Sequence, residues 1–177
     1  MKGQVILSHG LESGPQATKV TALAEVATAL GWREVRPDYR DLDASGDVRR
    51  LDQRIARALA AVRPDAGPVV FAGSSMGAFT SGFASLQQPC IGLFLMAPPL
   101  RIPGYPRALE AARVPTTIVH GWDDELIPAR AVIDFADARR ATLHLVADTH
   151  RLSDHVEDTA SWFGQFLDRL VTHGQVR

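Results

Sequence analysis

Gly73-Ser74-Ser75-Met76-Gly77 follows the apolar run Val69-Val70-Phe71-Ala72 and precedes a segment able to form a helix. A serine set between two glycines, at the end of a strand and the start of a helix, predicts a very tight turn. The serine is then held in a strained backbone conformation. Side chains at the flanking positions would collide with the strand or the helix, so glycine is needed at both. The turn lifts the Ser75 hydroxyl clear of the sheet and aims the Met76 N–H at the helix start, where it can stabilise developing negative charge.

Around this turn the chain alternates short apolar runs with helical patterns. Val5-Ile6-Leu7 reads as a buried strand ending in Ser8-His9-Gly10, followed by a loop from Leu11 to Pro15. Val20, Leu23, Ala24, Ala27 and Leu30 then recur at helical spacing until Gly31. Glu34 to Arg36 is a weaker strand, and 38–47 a polar loop. Val48, Leu51, Ile55, Leu59 and Val62 form an apolar stripe, with arginines and Asp52 opposite. Beyond the serine turn a helix runs to about Leu86, and Ile91 to Ala97 is apolar throughout, as a strand buried on both faces would be. The segment 101–112 is expected to be loop plus a short helix. Thr116 to His120 and Ala141 to Val146 are the last strands, with a helix opened by Pro128 between them. Asp154 and Glu157 suggest a capping box for a final helix through Phe163, Leu167 and Leu170. The expected fold is a doubly wound, mostly parallel six-stranded α/β sheet with helices on both faces, in one domain over 1–177.

Composition narrows the function. The net charge of −1 and the scattered basic residues point away from nucleic-acid and membrane-surface partners. No run reaches the ~18 apolar residues of a membrane span, and the apolar start at Val5 is too short for a signal peptide. The single cysteine, Cys90, forms no intramolecular disulfide and reads as a small buried hydrophobe, so a cytoplasmic protein is expected. Asp38, Asp41, Asp43 and Asp47 lack calcium-loop spacing, the histidines lack zinc spacing, and no glycine loop suits a phosphate. No cofactor and no metal are expected.

In a doubly wound sheet, reactive groups gather beyond the carboxyl ends of the strands. There the sequence sets His9-Gly10, Ser75, Asp123-Asp124 and His150. A serine hydroxyl needs a general base, and the base needs a carboxylate to fix its tautomer. The chain supplies these groups in the order Ser, Asp, His.

The motifs Ser8-His9-Gly10-Leu11, Gly73-Ser74-Ser75-Met76-Gly77, His120-Gly121-Trp122-Asp123-Asp124-Glu125-Leu126-Ile127-Pro128 and Thr149-His150-Arg151-Leu152 together resemble the α/β-hydrolase superfamily. The resemblance covers nearly the whole chain and implies a minimal core that lacks the family's first two strands and a cap, with an open, shallow site. It implies Ser75 as nucleophile and Asp124 as the acid, with Asp123 as the alternative. It favours His150 as the base over His155, which falls in the first turn of a helix where an imidazolium is disfavoured. Leu11 and Met76 would supply the backbone N–H groups of an oxyanion hole. His9 and His120 read as structural, and His144 and His173 carry no expected role. Met76, Trp122 and Tyr105 adjoin these loops. The implied activity is hydrolysis of a small-molecule carboxylic ester or thioester through an acyl-enzyme. The alternative is a hydrolase-like binding protein, which would show an apolar patch and a serine–histidine geometry too loose for proton transfer.

Overall fold

The apolar runs pair as one parallel sheet in the computed structural model, which describes residues 1–172. Its strands are β1 (Gln4–Ser8), β2 (Arg33–Val35), β3 (Val69–Ser74), β4 (Gly92–Met96), β5 (Thr116–Gly121) and β6 (Thr142–Val146). Their order is β2-β1-β3-β4-β5-β6, and every pairing is parallel. β1, β3, β4 and β5 are buried along their whole length, which is why their sequences do not alternate with polar residues.

The helices are α1 (Thr18–Ala29), α2 (Arg40–Asp43), α3 (Leu51–Ala60), α4 (Met76–Ser85), α5 (Ala129–Arg139) and α6 (Val156–Thr172). Successive strand residues feed opposite faces. Ile6, Phe71, Leu93 and Ile118 join one core with Ile55, Phe79 and Val132 of α3, α4 and α5. Val5, Val70, Phe94 and Val119 join a second core with Leu23 of α1 and Phe163 of α6. The sheet is covered on both sides, and its carboxyl edge is left for loops.

Three local expectations change. The segment 101–112 holds no helix; Arg101 and Ala108 form an isolated antiparallel bridge instead. Pro103 and Pro106 lack the N–H that a helix there would need. The 38–47 segment is not all loop, because α2 forms within it, and a 3₁₀ turn at Val48–Arg50 follows, capped by Asp47 through the Arg49 N–H at 3.0 Å. α6 starts one residue later than a capping box at Asp154 requires. His155 is its cap, its carbonyl accepting from the Thr159 N–H, while the Asp154 N–H is drawn to the Asp148 carboxylate at 3.0 Å. His173 lies outside the described residues. Among the described residues no helix is long and apolar enough to cross a membrane.

Candidate active site

The turn after β3 has the strain its sequence demands. Ser75 stands at φ 54° and ψ −119°, in a region that residues other than glycine rarely occupy. The Ser75 N–H donates to the Met96 carbonyl at 2.9 Å, which ties the turn to β4. A Cβ at Gly77 would overlap the carbonyl of Ser8, so α4 can start this close to β1 only with glycine there.

His150 follows β6, and its Nε2 lies 2.8 Å from Ser75 Oγ. Its Nδ1 lies 2.8 Å from Asp124 Oδ2. The Asp124 side chain is fully buried at the end of β5, and its Oδ1 accepts the N–H groups of Leu126 at 2.9 Å and Ile127 at 2.8 Å. A carboxylate so placed holds Nδ1–H on the ring and leaves Nε2 free to accept the serine proton. Asp123 is exposed, and its backbone N–H bonds to the Asp148 carbonyl at 3.1 Å.

His155 is turned to a different partner. Its Nδ1 lies 3.0 Å from Asp148 Oδ2, while Asp148 Oδ1 accepts the Thr149 N–H at 2.7 Å. Burial would raise the Asp148 carboxyl, but the His155 bond and the Thr149 and Asp154 N–H groups outweigh it and hold its pKa below the ordinary value. Asp148 thus braces the loop that carries His150. Glu125 braces it from the other side, its Oε2 accepting the His150 N–H at 3.2 Å.

His120 and His9 are buried and lie in the frame of the site. His120 Nε2–H donates to the Ile127 carbonyl at 3.0 Å and sits 3.5 Å from Asp124 Oδ2. His9 Nε2 accepts the Tyr39 N–H at 3.0 Å, which leaves Nδ1–H to donate to the Gly10 carbonyl at 2.7 Å. Burial lowers the pKa of both rings.

Leu11 follows Gly10 at the mouth of the cleft, and its N–H donates to no other backbone group among the described residues. The Met76 N–H belongs to the first turn of α4, where donors have no partner within the helix. Both residues line the cleft that contains Ser75 and His150.

Arg54 escaped the sequence reading, which set the arginines of α3 on its solvent face. It is three residues after Leu51 and four before Ala58, both buried, so it belongs to the buried stripe. Its side chain is 2% exposed. Nη1 lies 2.6 Å from both oxygens of Asp43, Nη2 donates to the His9 carbonyl, and the guanidinium sits 4.2 Å from the centre of the Tyr39 ring. Nε reaches Thr80 Oγ1 at 3.4 Å, and that hydroxyl donates to the Met76 carbonyl at 2.8 Å. Arg54 therefore touches the strand end leading to Leu11 and, through Thr80, the turn carrying Met76. The other aspartates of this region pair in the same way: Asp38 with Arg40, Asp41 with Arg57, and Asp47 with Arg49. No cluster suited to a metal ion occurs among the described residues.

Two half-open hollows meet at Met76, beside Ser75. The cleft over Ser75 has a volume of about 840 Å³, and a second cavity of about 590 Å³ lies beside it, walled by the 40–51 segment. Met76 lines both, whereas Trp122 is exposed outside them and Tyr105 packs against Phe79 and Phe83.

No family model and no curated protein matches the chain. Among solved structures it is similar to a candidate hydrolase of the alpha/beta superfamily from Xanthomonas campestris pv. campestris. The two share 51% identity over 95% of this chain and 99% of that one, with a TM-score of 0.88. It is also similar to an esterase from Pyrococcus furiosus (18% identity over 95% of this chain and 82% of that one, TM-score 0.75). An alpha-beta serine hydrolase homologue from Coxiella burnetii shares 19% identity over 93% of this chain and 85% of that one, with a TM-score of 0.67. The last two likenesses are of fold alone; the first extends to half the residues along nearly the full length of both chains.

Proposed function

Because the chain belongs to the α/β-hydrolase superfamily, we propose that it is a serine hydrolase cleaving a carboxylic ester or thioester through Ser75, His150 and Asp124. The observation that carries this reading is the unbroken relay from Ser75 Oγ through His150 to Asp124, at 2.8 Å in each step. Both distances fall within the ~2.6–3.2 Å that proton transfer requires. The short serine–histidine distance supports this reading over a binding protein with a loose relay.

Ser75 Oγ attacks the substrate carbonyl as its proton passes to His150 Nε2, and the carbonyl electron pair moves onto oxygen. The Leu11 and Met76 N–H groups receive this oxyanion, a donor of this type being worth ~3 kcal/mol. Asp124 stabilises the imidazolium. The carbon–oxygen or carbon–sulfur bond to the leaving group then breaks, and the leaving group takes the proton from His150. Water repeats the sequence on the acyl-Ser75: His150 removes its proton, the acid is released, and Ser75 recovers its hydrogen. No cofactor enters.

The test is fluorophosphonate labelling with mass mapping, alongside turnover of a short-chain aryl ester. The adduct should form on Ser75. Ser75→Ala and His150→Ala should each lower kcat by at least about 10⁴-fold, because the members of such a relay act as a unit. His155→Ala should retain most activity. Full turnover by Ser75→Ala, or loss with His155→Ala but not His150→Ala, would overturn the assignment.

A further inference from the structure

The geometry points to the 590 Å³ cavity as the binding site for the substrate's acyl group, an apolar chain longer than acetyl. This rests on the ester- or thioester-hydrolase reading above and adds which side of Ser75 holds the acid half of the substrate. The leaving group has to take its proton from His150 Nε2, so it occupies the cleft lined by His150, Arg151 and Ser153. With the oxyanion directed at Leu11 and Met76, the acyl substituent is the one group left, and it points away from His150.

That direction leads past Leu11, Glu12, Ser13 and Met76, which line both the cleft and the cavity; His150 does not line the latter. The cavity's volume lies within the ~300–1,000 Å³ of sites that enclose small ligands. Leu11, Leu42, Val48, Leu51 and Met76 give it an apolar lining. Of its charged neighbours, Arg54 is held by Asp43, Arg40 by Asp38 and Asp47 by Arg49. Those charges are compensated within the wall, while Glu12 is exposed and Arg50 half-buried. An apolar chain suits such a lining better than a polar or charged acyl group. The β4–β5 segment lines the cleft through Arg101, Ile102 and Pro103, whereas the segment from α2 to the start of α3 shapes the cavity.

The experiment is a series of p-nitrophenyl esters from acetyl to dodecanoyl, with active sites counted by fluorophosphonate titration. Each methylene that enters the cavity should raise kcat/KM about threefold, until the cavity is full. Octanoyl carries six more methylenes than acetyl, so the octanoyl-to-acetyl ratio should reach about 700-fold if all six enter, and at least about 30-fold if three do. Val48→Trp and Ala44→Trp fill the cavity from two positions, and either should lower that ratio at least about tenfold. Ser153→Trp, in the cleft on the His150 side, should leave the ratio within about twofold. A flat chain-length profile overturns the assignment. So does a ratio that falls with Ser153→Trp and not with the two cavity variants. Absence of both labelling and turnover of any ester refutes the hydrolase reading itself, and the acyl site with it.

Discussion

Removing Arg54 should damage stability far beyond what a single side chain on a ten-residue helix suggests. In Arg54→Met the Asp43 carboxylate, only 11% exposed, loses the guanidinium 2.6 Å away, and the His9 carbonyl loses its donor. Breaking a buried pair from one side costs ~3–5 kcal/mol, because the remaining charge stays buried without compensation. Part of the arginine stem's packing is retained by methionine, so ~3 kcal/mol is the expected loss. Urea unfolding reads it directly: with a slope of ~1–3 kcal/mol per molar, the midpoint should fall by ~1–3 M. Arg54→Met/Asp43→Leu removes both charges and should recover at least ~1 kcal/mol relative to Arg54→Met alone. Arg54→Lys keeps the charge without the planar fork and should fall between. Because Arg54 spans the segments bearing Leu11 and Met76, ester turnover by the still-folded variants should drop while KM changes little. A single variant within ~0.5 kcal/mol of wild type, or a double variant whose losses simply add, would refute this account.

Other consequences follow from the same structure. Gly77→Ala places a methyl group against the Ser8 carbonyl and should cost at least ~3 kcal/mol, seen as a fall in Tm of ~6–12 °C; an unchanged Tm would mean that α4 can slide away from β1. Burial lowers the pKa of His9 and His120 below their ordinary 6.5, so below pH ~6.5 the unfolded chain binds protons that the folded chain does not. Stability should therefore fall as pH drops from ~6.5 towards the lowered pKa values, by up to ~1.4 kcal/mol per pH unit for each ring, and these two groups should contribute no slope above ~7.5. Urea midpoints across that range check it, and a rise in stability on acidification would contradict it.

Much of this molecule is legible without coordinates, because its strongest signals are local. Apolar runs such as Leu93 to Met96 suit strands covered on both faces, and Gly73 is dictated by contacts within one turn, whereas Gly77 is required by the Ser8 carbonyl of β1. The spacing of the reactive groups at the strand ends follows from the same alternation. Tertiary structure was needed wherever two neighbouring residues share a chemistry and differ only in direction. Asp124 and Asp123 are adjacent carboxylates, yet one is buried against His150 and the other faces solvent. His150 and His155 lie five apart, yet the first bonds Ser75 and the second is held by Asp148. Arg54 reads as one more solvent-facing arginine until α3 packs on α4 and turns it inward to Asp43 and the His9 carbonyl. The second cavity depends on where the 40–51 segment settles against Leu11 and Met76, a long-range packing decision that no local periodicity encodes.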